Sequence, residues 1–188
     1  MIVALLSSFL VVALAEMGDK TQLVALSMAS RYRRPWAILL GILIATTVNH
    51  ALASSVGVWV VTRIPAAVVQ WILALSFIGF GVWTLVPDSP IELSRLPAWG
   101  PLVTTAVVFF LAEMGDKTQL ATVALAARFG SPVAVTAGTT LGMLAADALA
   151  VFAGNYLATR LPMVWIRRAA AVLFFVFGLT IIVKFVGP

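Results

Sequence analysis

One acidic decapeptide occurs twice: Leu14-Ala-Glu-Met-Gly-Asp-Lys-Thr-Gln-Leu23 recurs unchanged as Leu111 to Leu120. Each copy carries two carboxylates, Glu16 with Asp19 and Glu113 with Asp116, followed by Lys20 or Lys117, Thr21 or Thr118 and Gln22 or Gln119. On an unbroken helix, residues three apart lie about 60° apart, so each acidic pair shares a face. Gln22 continues that face beside Asp19, and Lys20 flanks Glu16. Carboxylate, amide and hydroxyl oxygens in one cluster suit a hard divalent cation, Mn²⁺ and Ca²⁺ alike. Lys20 and Lys117 either balance the acids or snorkel away from them. Gly18 and Gly115 are expected to let helices pack closely, with local unwinding as the alternative. Met17 would lie about 160° from Asp19 on a regular helix, so it and Met114 are expected to pack as ordinary apolar residues.

The elements that hold these residues must be membrane helices. The chain has 188 residues, 62% hydrophobic and 10% charged, with a mean hydropathy of +1.10; too little polar surface remains to coat a soluble globule. Six apolar stretches follow one another, over about 2–28, 36–60, 66–87, 101–127, 133–158 and 164–186, each near the roughly 20 residues that cross a bilayer. Pro35, Pro65, Pro101, Pro132 and Pro162 fall at or near the starts of these helices, where a missing N–H costs nothing. Met1 to Ala15 lacks a basic leader and reads as a retained first helix rather than a signal peptide. The net charge of +5 does not point to nucleic acid, because the basic residues sit between apolar stretches as topology signals. Without cysteine there is neither a disulfide framework nor a thiolate metal site.

The chain is also a duplication. Beyond the decapeptide, Arg31/Arg128, Pro35/Pro132, Gly41/Gly138, Gly57/Gly154, Arg63/Arg160 and Gly81/Gly178 coincide at one offset of 97 residues. Residues 1–88 and 101–188 are thus two three-helix units joined by a linker at 89–100, which follows Asp88 and holds Glu92 and Arg95. An odd number of helices makes the second unit enter the membrane from the opposite side. The expected fold is an all-α integral membrane protein of six helices in two inverted repeats, with the first and fourth helices meeting at the midplane. Arg31, Arg33, Arg34, Arg95, Arg160, Arg167 and Arg168 lie on the linker side, against Arg63, Arg128 and Lys184 on the other. That bias puts the linker in the cytoplasm and both termini outside.

A carboxylate at mid-bilayer costs about 2.5–3.5 kcal/mol, and four of them imply a function or a strong internal partner. Mutual neutralisation of Glu16, Asp19 and Lys20 explains less, since apolar packing would replace such a pair without loss. His50 and Asp147 occupy equivalent positions in helices two and five, and Asp147 continues a polar stripe of Thr136, Thr140 and Met143. Both exchange protons, so they serve either proton coupling or a plain interhelical hydrogen bond. No nucleophile and base pair, histidine metal cluster or phosphate loop argues for an enzyme. An exporter of an amino acid or other small organic solute, or a non-transporting membrane scaffold, stays open at this point.

The paired motif resembles that of the Golgi-dependent-transport family of Ca²⁺/Mn²⁺:H⁺ antiporters, whose bacterial members are small manganese exporters. The resemblance covers essentially the whole chain. It implies that Glu16, Asp19, Glu113 and Asp116 form one cation and proton site, with no cofactor, a divalent cation and protons as the transported species, and a bacterial inner membrane as the setting. The short linker departs from the longer acidic one of some eukaryotic relatives, which argues against regulation through that loop.

Overall fold

A computed structural model describes residues 1–86, 99–160 and 163–186. Eight helices follow one another among them: α1 Ile2–Glu16, α2 Lys20–Tyr32, α3 Pro35–Arg63, α4 Ala66–Thr84, α5 Pro101–Glu113, α6 Lys117–Phe129, α7 Pro132–Arg160 and α8 Met163–Val186. Pro35, Pro101 and Pro132 each open a helix, as expected, and Pro65 directly precedes one. Asp88, Glu92, Arg95, Pro162 and all of the linker but Trp99 and Gly100 lie outside the described residues.

The single helices expected over 2–28 and 101–127 are each two helices, broken inside the acidic motif. The Glu16 carbonyl accepts the Asp19 N–H at 3.1 Å, Met17 has φ −67° and ψ 117°, and Gly18 has φ +81°. These are the angles of a type II β-turn, which needs positive φ at its third residue, where glycine sits without strain. The second copy repeats it: a 3.1 Å bond from Asp116 N–H to Glu113, Met114 at −66° and 114°, Gly115 at +78°. The string Glu-Met-Gly-Asp therefore encodes its own helix break, and α1 meets α2 at 73°. The expected close-packing role of these glycines does not hold for Gly115, since a Cβ there would find nothing within 4 Å.

α3, α4, α7 and α8 are each long and apolar enough to cross a bilayer, α1 with α2 makes a fifth, bent candidate, and α5 is apolar but shorter. All six tryptophans are exposed, each within a few residues of a helix end, as at the two edges of a bilayer. Leu6, Leu10, Leu75, Val172, Val176 and Leu179 also face outward, a surface that only lipid solvates well. The chain is an all-α integral membrane protein.

Within it, α3 and α7 are the interior pair: 56% of each apolar window is buried, against 33% for α4 and 28% for α8. Water does not drive helices together in lipid, so small residues that let backbones approach set the contacts. Gly138 on α7 lies against the Leu5 carbonyl and Ser8 of α1, and Gly41 on α3 against the Leu102 carbonyl and Thr105 of α5. These are one contact made twice at the 97-residue offset. The α4–α8 contact is likewise reciprocal, with Gly81 against Phe175 and Gly178 against Ile78, and Phe77, Phe80, Phe174 and Phe177 fill the space between those helices. At the centre, the Thr46 hydroxyl donates to the Met143 sulfur at 3.1 Å, two positions that are themselves equivalent.

A Cβ on Gly138 would fall 2.3 Å from the Leu5 carbonyl oxygen, whereas one on Gly79 would meet nothing within 4 Å. Gly138→Ala is expected to destabilise the detergent-solubilised protein by about 1–3 kcal/mol and lower its Tm, with Gly79→Ala close to wild type. Thermal unfolding followed by light scattering checks the pair.

Candidate functional site

Stopping one helix and starting another within three residues leaves carbonyls of α1 and α5 and N–H groups of α2 and α6 without helical partners. The glutamines meet part of that need. Gln22 Oε1 accepts the Gly18 N–H at 2.9 Å and Gln119 Oε1 the Gly115 N–H at 2.7 Å, so they close the turns rather than extending an acidic face. Their amide nitrogens reach the other unit: Gln22 donates to the Ala146 carbonyl of α7 at 2.9 Å, and Gln119 makes a long 3.5 Å contact to Asn49 Oδ1 of α3. Asn49 in turn donates to the Phe110 carbonyl at 3.0 Å. Asn49 and Ala146 are equivalent positions, so the two turns are braced in the same place.

The acids are equally specific in their partners. Thr21 donates to Glu16 at 2.7 Å and Thr118 to Glu113 at 2.9 Å. Asp19 and Asp116 stand at the N-cap positions of α2 and α6, yet neither side chain makes the usual cap bond to its own helix. They turn instead to lysines of the opposite unit. Lys117 donates to Asp19, and Lys20 binds Asp116 at 2.9 Å. Lys20 therefore does not flank Glu16, and neither lysine snorkels out. The two pairs differ in access: the Lys117 side chain is 3% exposed and that of Lys20 20%.

Three of the four expected carboxylates converge. Glu16, Asp19 and Asp116 each offer an oxygen within 4.8 Å of the other two. A hard cation ligated at roughly 2.1–2.6 Å sets its oxygens no more than about 5 Å apart, so this trio has the span of a single ion. Glu113 stands just outside it, within electrostatic reach of all three. Glu16 Oε1, Glu113 Oε1 and Asp116 Oδ2 are buried with no hydrogen-bond partner among the described residues, which leaves acceptor positions for a cation or a proton. Met114, expected to pack as an ordinary apolar residue, is 57% exposed.

His50 and Asp147 are both fully buried, and neither ring nitrogen nor either carboxylate oxygen has a partner among the described residues. The plain interhelical hydrogen bond considered for them is therefore not made. Asp147 is within electrostatic reach of Glu16, and Thr136 of the same stripe donates to Ser54 at 3.0 Å. Asn49, a weaker candidate in the sequence than His50 and Asp147, and the Ala146 carbonyl were not among the expected site residues. An amide beside His50 in an apolar helix was a signal for the first; a backbone carbonyl leaves none.

Oxygen donors gathered where helices break inside an apolar bundle are the arrangement of an ion carrier. Residues 4–92 and 101–187 match the family model described as divalent cation/proton antiporter GDT1, and the chain belongs to that family. It is a transporter and not an enzyme, and the divalent cation is cargo rather than cofactor. The chain is 43% identical over 173 residues to the Vibrio cholerae protein named "Putative manganese exporter", covering 92% of this chain and 86% of that one. It is 28% identical over 202 residues to a GDT1-like protein of Synechocystis, covering 95% and 96%, and 27% identical over 205 residues to GDT1-like protein 5 of Arabidopsis thaliana, covering 88% and 89%. No solved structure matches the chain significantly. The organic-solute and scaffold readings give way to the family.

Removing one partner of a buried ion pair costs about 3–5 kcal/mol, and removing both costs far less. Asp19→Asn is accordingly expected to lower the Tm sharply, and Lys117→Met in the same chain to restore most of it. Unfolding of the two single variants and the double variant measures the coupling.

Proposed function

We propose that the chain exports Mn²⁺ in exchange for protons, with Glu16, Asp19, Glu113 and Asp116 as the shared site. The observation that carries this reading is the convergence of Glu16, Asp19 and Asp116, from both halves of the chain, within 4.8 Å of one another. Manganese is favoured by the name of the Vibrio cholerae relative.

The reading includes the architecture. Residues 1–88 and 101–188 form two inverted three-helix repeats and six spans, α1 with α2 counting as one and α5 with α6 as another. The contacts repeated at the 97-residue offset support it, above all Gly41 with Leu102 and Gly138 with Leu5. The bundle sits in a bacterial inner membrane, with the linker at 89–100 cytoplasmic and both termini outside, as the bias of basic residues favours.

In the mechanism, Lys20 and Lys117 hold the carboxylates until a cation arrives. A divalent ion that binds Glu16, Asp19 and Asp116 competes with the two ammonium groups for the aspartates and takes over part of their charge compensation. Lys20, the more accessible of the two, leaves first. Protons and metal compete for the same oxygens, which couples their opposite flows across the membrane. Thr21, Thr118, Gln22 and Gln119 support the acids, Gly18 and Gly115 permit the turns, and His50 and Asp147 pass protons to and from the cluster.

Proteoliposomes with an imposed pH gradient test this directly. Gradient-driven uptake of Mn²⁺ is expected to exceed that of Ca²⁺, Mg²⁺ and Cd²⁺, and Glu16→Gln or Asp116→Asn is expected to abolish it in protein that still folds; wild-type flux in both variants overturns the site. Metal binding to carboxylates releases protons, so the apparent affinity for Mn²⁺ is expected to weaken as pH falls, by about tenfold per unit for each proton displaced, in equilibrium binding at several pH values.

A further inference from the structure

At the end of the bundle where α6 and α8 finish and α4 begins, a basic cavity lies apart from the acidic cluster. Arg128, in the last turn of α6, faces the rings of Phe177 and Phe129 at 5.7 and 5.9 Å. Among the described residues its buried Nε has no hydrogen-bond partner, and no carboxylate lies within ion-pair distance. A half-buried guanidinium without a counter-charge is costly, and ring contact satisfies none of its N–H donors. Beside it opens a cavity of about 450 Å³, lined by Arg128, Lys184 and Gln70 together with Phe129, Ile181 and Phe185. A second cavity of about 220 Å³ continues from Arg128 and Gln70 along Val69 and Leu73.

We infer that this cavity binds the phosphate headgroup of an anionic membrane lipid. A planar guanidinium with a fixed fork of donors, an ammonium and an amide match the several acceptor oxygens of a phosphodiester. The rest of the lining decides for a lipid over a free phosphate ion. Ile181, Phe129 and Phe185 are apolar, Trp71 packs edge-on to Phe185 at 5.9 Å, and both of those rings are exposed on the outer surface. A headgroup on Arg128 and Lys184 leaves its chains against that apolar rim. The position also matters mechanically. The lipid ties α6, which begins at Lys117 beside the acidic cluster, to α4 and α8.

The test is native mass spectrometry of the delipidated full-length protein with phosphatidylglycerol, phosphatidylcholine or inorganic phosphate added back. Phosphatidylglycerol is expected to bind in preference to phosphatidylcholine, and Arg128→Gln with Lys184→Gln to reduce its occupancy about fivefold or more, toward the phosphatidylcholine level. Arg31→Gln, at the equivalent and exposed position of the first half, is expected to leave occupancy unchanged. Lys184→Gln alone, an exposed substitution, keeps the test open if changes at Arg128 impair folding, and is expected to lower occupancy in the same direction. Equal binding of the two lipids, or wild-type occupancy in the double variant or in Lys184→Gln, overturns the site. Displacement of phosphatidylglycerol by millimolar inorganic phosphate overturns the lipid assignment in favour of a soluble anion. These readouts do not depend on cation flux, so they fail or succeed separately from the proposed export.

Discussion

A carboxylate carried below the surface of a bilayer loses its water, and something else must meet its charge. This chain places five acids inside its apolar bundle, and the compensation of the four in the motifs organises what surrounds them. The threonine that follows each motif lysine bonds the glutamate before the turn, while each aspartate gives up the capping of its own helix for a lysine of the other half. The N-termini of α2 and α6, where helix dipoles favour negative charge, begin at the same aspartates. Compensation comes from both sequence halves, so neither half completes the cluster alone.

That requirement explains the packing outside the motif. Charges from two halves meet only if the half-helices come close to α3 and α7, and glycine at 41 and 138 brings backbone against backbone there. The glutamines then fasten each turn to the opposite unit, one through a carbonyl and the other through Asn49. α4 and α8 carry none of the acids. They pack on each other through phenylalanines and turn valine and leucine outward, which makes them the lipid-facing flank and leaves room at their ends for the basic cavity around Arg128.

The two halves are alike in sequence at the motif but not in surroundings. Asp147 adds a buried acid within reach of Glu16, where the equivalent position in the first half is His50. Lys20 is partly accessible and Lys117 is enclosed. These residues are where the two sequence halves differ most around the motif.

Much of this was legible in the residues themselves. Composition demanded a membrane, prolines marked helix starts, the 97-residue offset revealed the duplication, and four acids in apolar helices marked the place to look. Even the helix break was written locally, since Glu-Met-Gly-Asp suits a type II turn; periodicity hid it, because an apolar run on both sides reads as one continuous helix. What the residues could not convey was partnership. A lysine one position from an aspartate looks like that aspartate's counter-ion, but adjacent residues diverge at a turn, and only the fold shows Lys20 reaching Asp116 and Lys117 reaching Asp19. Ion pairs and backbone braces between segments nearly a hundred residues apart depend on distances in space, and tertiary structure alone decided those.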